Sequence, residues 1–126
     1  ALAARVFQEP ADLHRLNQIV HPPILAELRE EIRRHPEFPL IVIDAALLME
    51  TGLARDCDLL LYVDVPESLR AQRASRARAW SEAELRRRER FQMDLDEKRR
   101  RADHVIDNST SPEETERQIL AILAGL

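Results

Sequence analysis

Two short apolar runs, each closed by an aspartate, constrain this chain most: Leu40-Ile41-Val42-Ile43-Asp44 and Leu59-Leu60-Leu61-Tyr62-Val63-Asp64. Both are continuous rather than alternating, and turn signals bound them. That is how a parallel strand covered on both faces reads. A third run, His104-Val105-Ile106, precedes the turn Asp107-Asn108-Ser109-Thr110-Ser111-Pro112. Helical periodicity fills the intervals, and strands alternating with helices imply an α/β protein with a parallel sheet.

The helical stretches carry their own punctuation. Residues 1–8 read as helix, and Glu9-Pro10 breaks the pattern. Leu13, Leu16, Ile19 and Val20 then mark a short second helix, which His21-Pro22-Pro23 is expected to end. Proline is well tolerated at the first position of the next helix, where its missing N–H would be unpaired anyway. That helix, residues 24–34, sets a stripe of Ile24, Leu25, Leu28 and Ile32 against a solvated face. Pro66-Glu67-Ser68 starts a helix bearing Leu69, Arg70, Arg73 and Arg76. Ser81-Glu82-Ala83-Glu84 has the form of a capping box, with a strongly charged helical segment expected from there to about Arg101. Residues 113–123 read as a closing helix.

Composition narrows the class. Charged residues make up 33% of the 126, aromatics 4%, and there are two glycines, which fits a helix-rich α/β protein and neither a disordered chain nor a disulfide scaffold. A net charge of −4, spread over 19 basic and 23 acidic residues, gives no electrostatic footprint for nucleic acid or membrane. No apolar run approaches the roughly 18 residues of a membrane span, and no signal peptide is visible. A cytoplasmic location is expected. Cys57 has no internal partner and reads as a small half-buried residue rather than a reactive thiol.

In open α/β sheets ligands bind beyond the carboxyl ends of the strands. Three such ends are readable: Asp44 to Glu50, Asp64-Val65-Pro66 and Asp107-Asn108. An aspartate there is often only a cap or turn former. The basic cluster says more. Arg73, Arg76, Arg78, Arg86, Arg87, Arg88 and Arg90 flank Trp80-Ser81, so two helices meet at a hinge dense with guanidinium groups. Such a hairpin suits closure over a polyphosphate, because guanidinium forks match phosphate oxygens. The same arginines, interleaved with glutamates at helical spacing, equally fit a solvated hairpin of internal ion pairs.

Five blocks taken in order resemble one family. They are Leu16-Asn17-Gln18-Ile19-Val20-His21-Pro22-Pro23-Ile24, Asp44-Ala45-Ala46-Leu47-Leu48-Met49-Glu50-Thr51-Gly52, Tyr62-Val63-Asp64-Val65, Gln72-Arg73 with Gln92, and Ala102-Asp103-His104-Val105-Ile106-Asp107-Asn108. Together they resemble dephospho-CoA kinase along nearly the whole chain, the His-Pro and Asp-x-Val-Ile-Asp-Asn blocks being the most specific. The resemblance implies a three-layer, parallel-sheet P-loop kinase fold with a helical substrate-binding insertion and an arginine-rich lid. It implies transfer of the ATP γ-phosphoryl group, with Mg2+, to the 3′-hydroxyl of dephospho-CoA, the last step of coenzyme A synthesis. By position, residues 1–36 match the substrate-binding region, 37–69 and 102–126 the core, and 70–101 the lid of a single, partial domain. Arg73 matches the lid arginine used on the phosphates and so carries the catalytic expectation. Asn108 falls with it on the ATP side. His21, Glu50 and Gln92 fall in blocks tied to the acceptor substrate, although His21-Pro22 serves equally well as a helix start.

Three departures qualify that picture. Ala77, flanked by Arg76 and Arg78, stands where the family carries a second lid arginine, and Ala46 stands where it carries proline. No G-x-x-x-x-G-K-[ST] motif occurs. The phosphate cradle, its lysine, the metal-binding hydroxyl and the base would therefore lie upstream, and no metal ligand set is expected within the chain. The opening at Ala1, inside apparent helix, fits further upstream sequence. These 126 residues alone are expected to be inactive. The strands at 40–43 and 59–63 are expected either to pair directly, to await a strand from a missing segment or another chain, or to leave the fragment poorly folded. A non-catalytic nucleotide-binding remnant and a protein-interaction module are the alternatives of other classes.

Overall fold

The computed structural model describes residues 9–126, which fall into two compact units meeting at Leu53 and Ala54. The helix expected over residues 1–8 lies outside the described residues.

The first unit is dominated by one helix, α1 (Pro10–Arg34). Glu9 is extended at its N-cap, and its carbonyl accepts from the N–H groups of Asp12 (3.1 Å) and Leu13 (3.2 Å). Contrary to the sequence expectation, Pro22 and Pro23 lie inside α1 and do not end it. The two prolines remove the ladder bonds to the carbonyls of Gln18 and Ile19. Both of those residues are exposed, so water can take the place of the missing donors. Leu13, Leu16, Leu28 and Ile32 are half-buried as the stripe requires, whereas Ile19 (64%) and Ile24 (58%) face solvent.

Residues 40–44 form no strand with any described residue, which corrects the first strand assignment. A strand exists only where a neighbouring backbone closes its ladder, and the apolar run without one leaves Leu40 (51%) and Val42 (80%) exposed. A series of turns follows. Thr51 donates through Oγ1 to the Leu47 carbonyl at 2.8 Å, and Gly52 takes φ +78°, a conformation that favours glycine. A 3-10 turn, Leu53–Asp56, follows.

The second unit holds the sheet. Strands β1 (Leu61–Asp64) and β2 (His104–Asp107) pair in parallel, with Leu61 opposite His104 and Asp64 opposite Asp107. Three side-chain or loop contacts extend this short ladder. Asp103 accepts from the Leu60 N–H at 2.8 Å and returns its own N–H to the Leu60 carbonyl at 2.9 Å. At the carboxyl end, the Asn108 N–H donates to the Asp64 carbonyl at 2.9 Å. The Gln118 amide then imitates a strand beside β2, accepting from the Asp107 N–H (2.9 Å) and donating to the Asp107 carbonyl (3.0 Å). Ile106 is the buried centre of the unit at 1% exposure. The expectation of strands covered on both faces is not met, since Leu61, Val63 and Val105 remain 39–52% exposed.

Four helices complete the unit: α2 (Glu67–Arg78), α3 (Glu82–Glu89), α4 (Leu95–Arg101) and α5 (Pro112–Leu123). The charged segment expected from Ser81 to about Arg101 is thus two helices. Asp94 makes the break, accepting from the Glu97 N–H at 3.1 Å as the N-cap of α4. Ser81 caps α3 from Glu84 at 3.2 Å, and Ser111 caps α5 from Glu114 at 3.3 Å.

Candidate functional site

The carboxyl ends of β1 and β2 bring Asp64, Asp107 and Asn108 side by side, and α2 rises from the first of them. Arg70, on the opening turn of α2, is half-buried. Its Nη1 donates to the Val65 carbonyl at 2.7 Å and its Nε to Glu89 of α3 at 3.0 Å. One guanidinium therefore fixes α2 and α3 to the end of β1. Almost one turn later, Arg73 donates through Nη1 to the Asn108 carbonyl at 2.8 Å. Asn108 is in turn held by Thr115, whose hydroxyl donates to its Oδ1 at 3.2 Å. Arg99 of α4 pairs with Asp64 at 3.1 Å.

The hinge between α2 and α3 is tightly specified. Ala79 ends α2 in the left-handed region, at φ 54° and ψ 29°. Trp80 follows, with the guanidinium of Arg88 4.1 Å and that of Arg78 5.3 Å from its ring centre. The remaining arginines divide by partner. Arg86 pairs with Glu82 (2.6 Å) and Glu67 (3.1 Å), Arg87 with Glu84 (3.3 Å), and Arg88 with Glu84 (2.9 Å). Arg73, Arg76 and Arg90 meet no carboxylate among the described residues. The reading as a hairpin of internal ion pairs therefore holds for Arg86, Arg87 and Arg88.

Between β1, the hairpin and α4 lies a cavity of about 820 Å3, lined in part by Tyr62, Asp64, Arg70, Gln92 and Arg99. Partial burial pushes the Tyr62 phenol above its usual range, and Asp64 adds to the shift. Gln92 sits on the wall, its Oε1 accepting from Lys98 Nζ at 3.2 Å. Lys98 is itself buried at 9% exposure.

The structure thus brings together Arg73 and Asn108, and places Gln92 on the cavity of the same unit. His21 and Glu50 belong to the first unit: His21 is half-buried in mid-helix, not at a helix start, and Glu50 is exposed in the turns that follow residues 40–44. Sequence reasoning missed Arg70, Arg99 and Lys98, whose partners are distant in sequence. Cys57 is half-buried, and desolvation with Asp56 and Asp58 beside it pushes its thiol up, away from reactivity. Among the described residues no three His, Cys, Asp or Glu side chains converge on a point.

A family model described as CoaE, dephospho-CoA kinase, matches residues 1–114. A dephospho-CoA kinase of Deinococcus radiodurans is 40% identical over 127 residues, covering 99% of this chain and 61% of its own length. One from Thermus thermophilus is 39% identical over 126 residues, covering 100% of this chain and 62% of its own length. A crystal structure of TT1252 from Thermus thermophilus superposes with a TM-score of 0.80 at 38% identity, over 99% of this chain and 65% of that one. The chain spans about three fifths of the length of the curated relatives it matches. Its α/β, parallel-sheet architecture is the P-loop kinase-like fold, and with matches running along nearly all of its length the chain belongs to the dephospho-CoA kinase family.

Proposed function

We propose that the protein carrying this chain transfers the γ-phosphoryl group of ATP to the 3′-hydroxyl of dephospho-CoA. The observation that carries the reading is the placement of Arg73, exposed, without a carboxylate partner among the described residues and tethered to Asn108 at the carboxyl ends of both strands. Phosphoryl transfer is accelerated mainly by positioning and by cations aimed at the phosphoryl oxygens. A guanidinium held by one N–H keeps its other donors for that purpose. In this reading Arg73 acts on the phosphates, and Asn108 borders the nucleotide. Gln92, His21 and Glu50 serve the acceptor, residues 1–36 form its helical binding region, and residues 70–101 close as a lid. ATP is the co-substrate, and Mg2+ would neutralise its phosphates through ligands supplied from elsewhere in the protein. Relatives named dephospho-CoA kinase along the whole chain favour an enzyme over a binding remnant or an interaction module.

The test is direct. Incubated with ATP and dephospho-CoA, the purified protein should yield a product whose new phosphate is on the ribose 3′-oxygen by phosphorus NMR. ATP turnover indifferent to dephospho-CoA would overturn the reading.

A further inference from the structure

Lys98 is the one cation in the last turn of α4 that is buried. Arg99 pairs with Asp64, and Arg100 and Arg101 pair with Glu97, all three arginines being exposed. Any of those arginines complements the helix dipole, so that effect does not account for an ammonium taken out of water. The Lys98 Nζ donates to Oε1 of Gln92 at 3.2 Å, across the turn that precedes α4. An ammonium has donors and no acceptor, so it can bind an amide only through the oxygen. That fixes which way the Gln92 amide lies. Among the described residues none accepts from the Gln92 Nε2, and none leaves a buried side-chain nitrogen or oxygen without a partner. The Nε2 hydrogens are therefore open to solvent, on a residue that lines the cavity beside β1.

We infer that Lys98 is a positioning residue, which locks the Gln92 amide so that the cavity wall presents N–H donors to a carbonyl or phosphoryl oxygen of the acceptor substrate. An amide free to turn over offers its oxygen as readily as its nitrogen and selects neither kind of ligand group. Held one way, it favours a ligand oxygen and leaves a ligand N–H at the same place unpaired. The inference rests on the reading of Gln92 as part of the acceptor's site.

Gln92→Glu separates this role from a purely structural one. The carboxylate keeps the side chain's length and gives Lys98 a charge-assisted partner, but it turns an oxygen to the cavity where the amide nitrogen was. The variant should unfold no earlier than the wild type. Dephospho-CoA, titrated calorimetrically into the protein, should nevertheless bind about tenfold more weakly. In steady state KM for dephospho-CoA should rise by a similar factor, with KM for ATP unchanged. Lys98→Met keeps the buried stem and removes the charge, and should raise KM for dephospho-CoA about threefold or more by releasing the amide. Lys98→Gln is the second variant should Lys98→Met fail to fold. Its amide can both donate and accept, so it no longer dictates how Gln92 lies, and KM should rise again. Wild-type binding of dephospho-CoA by Gln92→Glu overturns the inference. So does a Lys98→Met or Lys98→Gln protein that melts earlier with KM unchanged, because Lys98 then only packs. Transfer to dephospho-CoA that is indifferent to all three substitutions overturns this inference alone. Dephospho-CoA binding weakened by Gln92→Glu and by either Lys98 variant, in a protein that transfers no phosphoryl group, upholds it and overturns the proposed reaction.

Discussion

At the scale of single residues, Ala79 shows how one backbone conformation shapes the site. It is the one non-glycine among the described residues with positive φ, and it turns the chain from α2 towards α3. The left-handed region costs an L-residue roughly 1–2 kcal/mol, and glycine is largely exempt. Glycine also loses about 0.4–1 kcal/mol through a freer unfolded chain. Ala79→Gly should therefore stabilise the protein modestly, by up to about 1 kcal/mol in denaturant unfolding. Ala79→Val, β-branched where φ is positive, should destabilise it by more than about 1 kcal/mol. The hinge at Trp80-Ser81 was legible in the sequence, but the left-handed conformation of Ala79 was not, because the usual signal for it is a glycine. Arg73 drew notice because its block resembles the family's, and the structure sets it against Asn108. The partners of Arg70, Arg99 and Lys98 were not legible, since each depends on which helices the fold sets side by side.

Among the elements, the helix ends were the part best written in the sequence, yet one was overlooked. Ser81 and Ser111 cap as their spacing suggests, while Asp94-Leu95-Asp96-Glu97 carries the same kind of signal inside a stretch so charged that it read as continuous helix. Asp94→Ala should cost about 1 kcal/mol of stability, measured by chemical denaturation, by orphaning the Glu97 N–H. The opposite error occurred at Pro22 and Pro23, where a strong breaker sits inside α1 because its neighbours are open to water. The C-terminal end of α1 carries a pH dependence. His35 lies 3.0 Å from Glu37 and 3.1 Å from Glu31, and these hydrogen bonds raise its pKa above the usual 6.5. The Glu37 carboxyl is lowered from 4.5 by the same bond. A raised histidine stabilises fully below its unfolded pKa and loses that contribution as pH rises through the folded value. A lowered carboxyl contributes above 4.5 and loses its share as pH falls. The pair thus supports the helix end best at mildly acidic pH and weakens above neutrality. NMR titration should place the His35 midpoint above 6.5 and bring it down in Glu37→Gln.

For the molecule as a whole, the α/β class and the parallel pairing of two strands followed from period changes in the sequence, and the family architecture from the five blocks in order. The strand at residues 40–43 did not follow, because an apolar run becomes a strand only beside a partner backbone. Its exposed Leu40, Ile41 and Val42 are the consequence. What the fold does deliver is one guanidinium at the junction of both strand ends. The most direct test is the split between kcat and KM for Arg73→Ala in transfer from ATP to dephospho-CoA. In the proposed reading Arg73 acts on the moving phosphoryl group, and such a contact works mainly in the transition state. The variant should therefore lose on the order of 10³-fold in kcat with KM for dephospho-CoA little changed, and Arg73→Lys should restore only part. A near-normal kcat in Arg73→Ala would contradict the account, reducing Arg73 to a structural tie between α2 and Asn108.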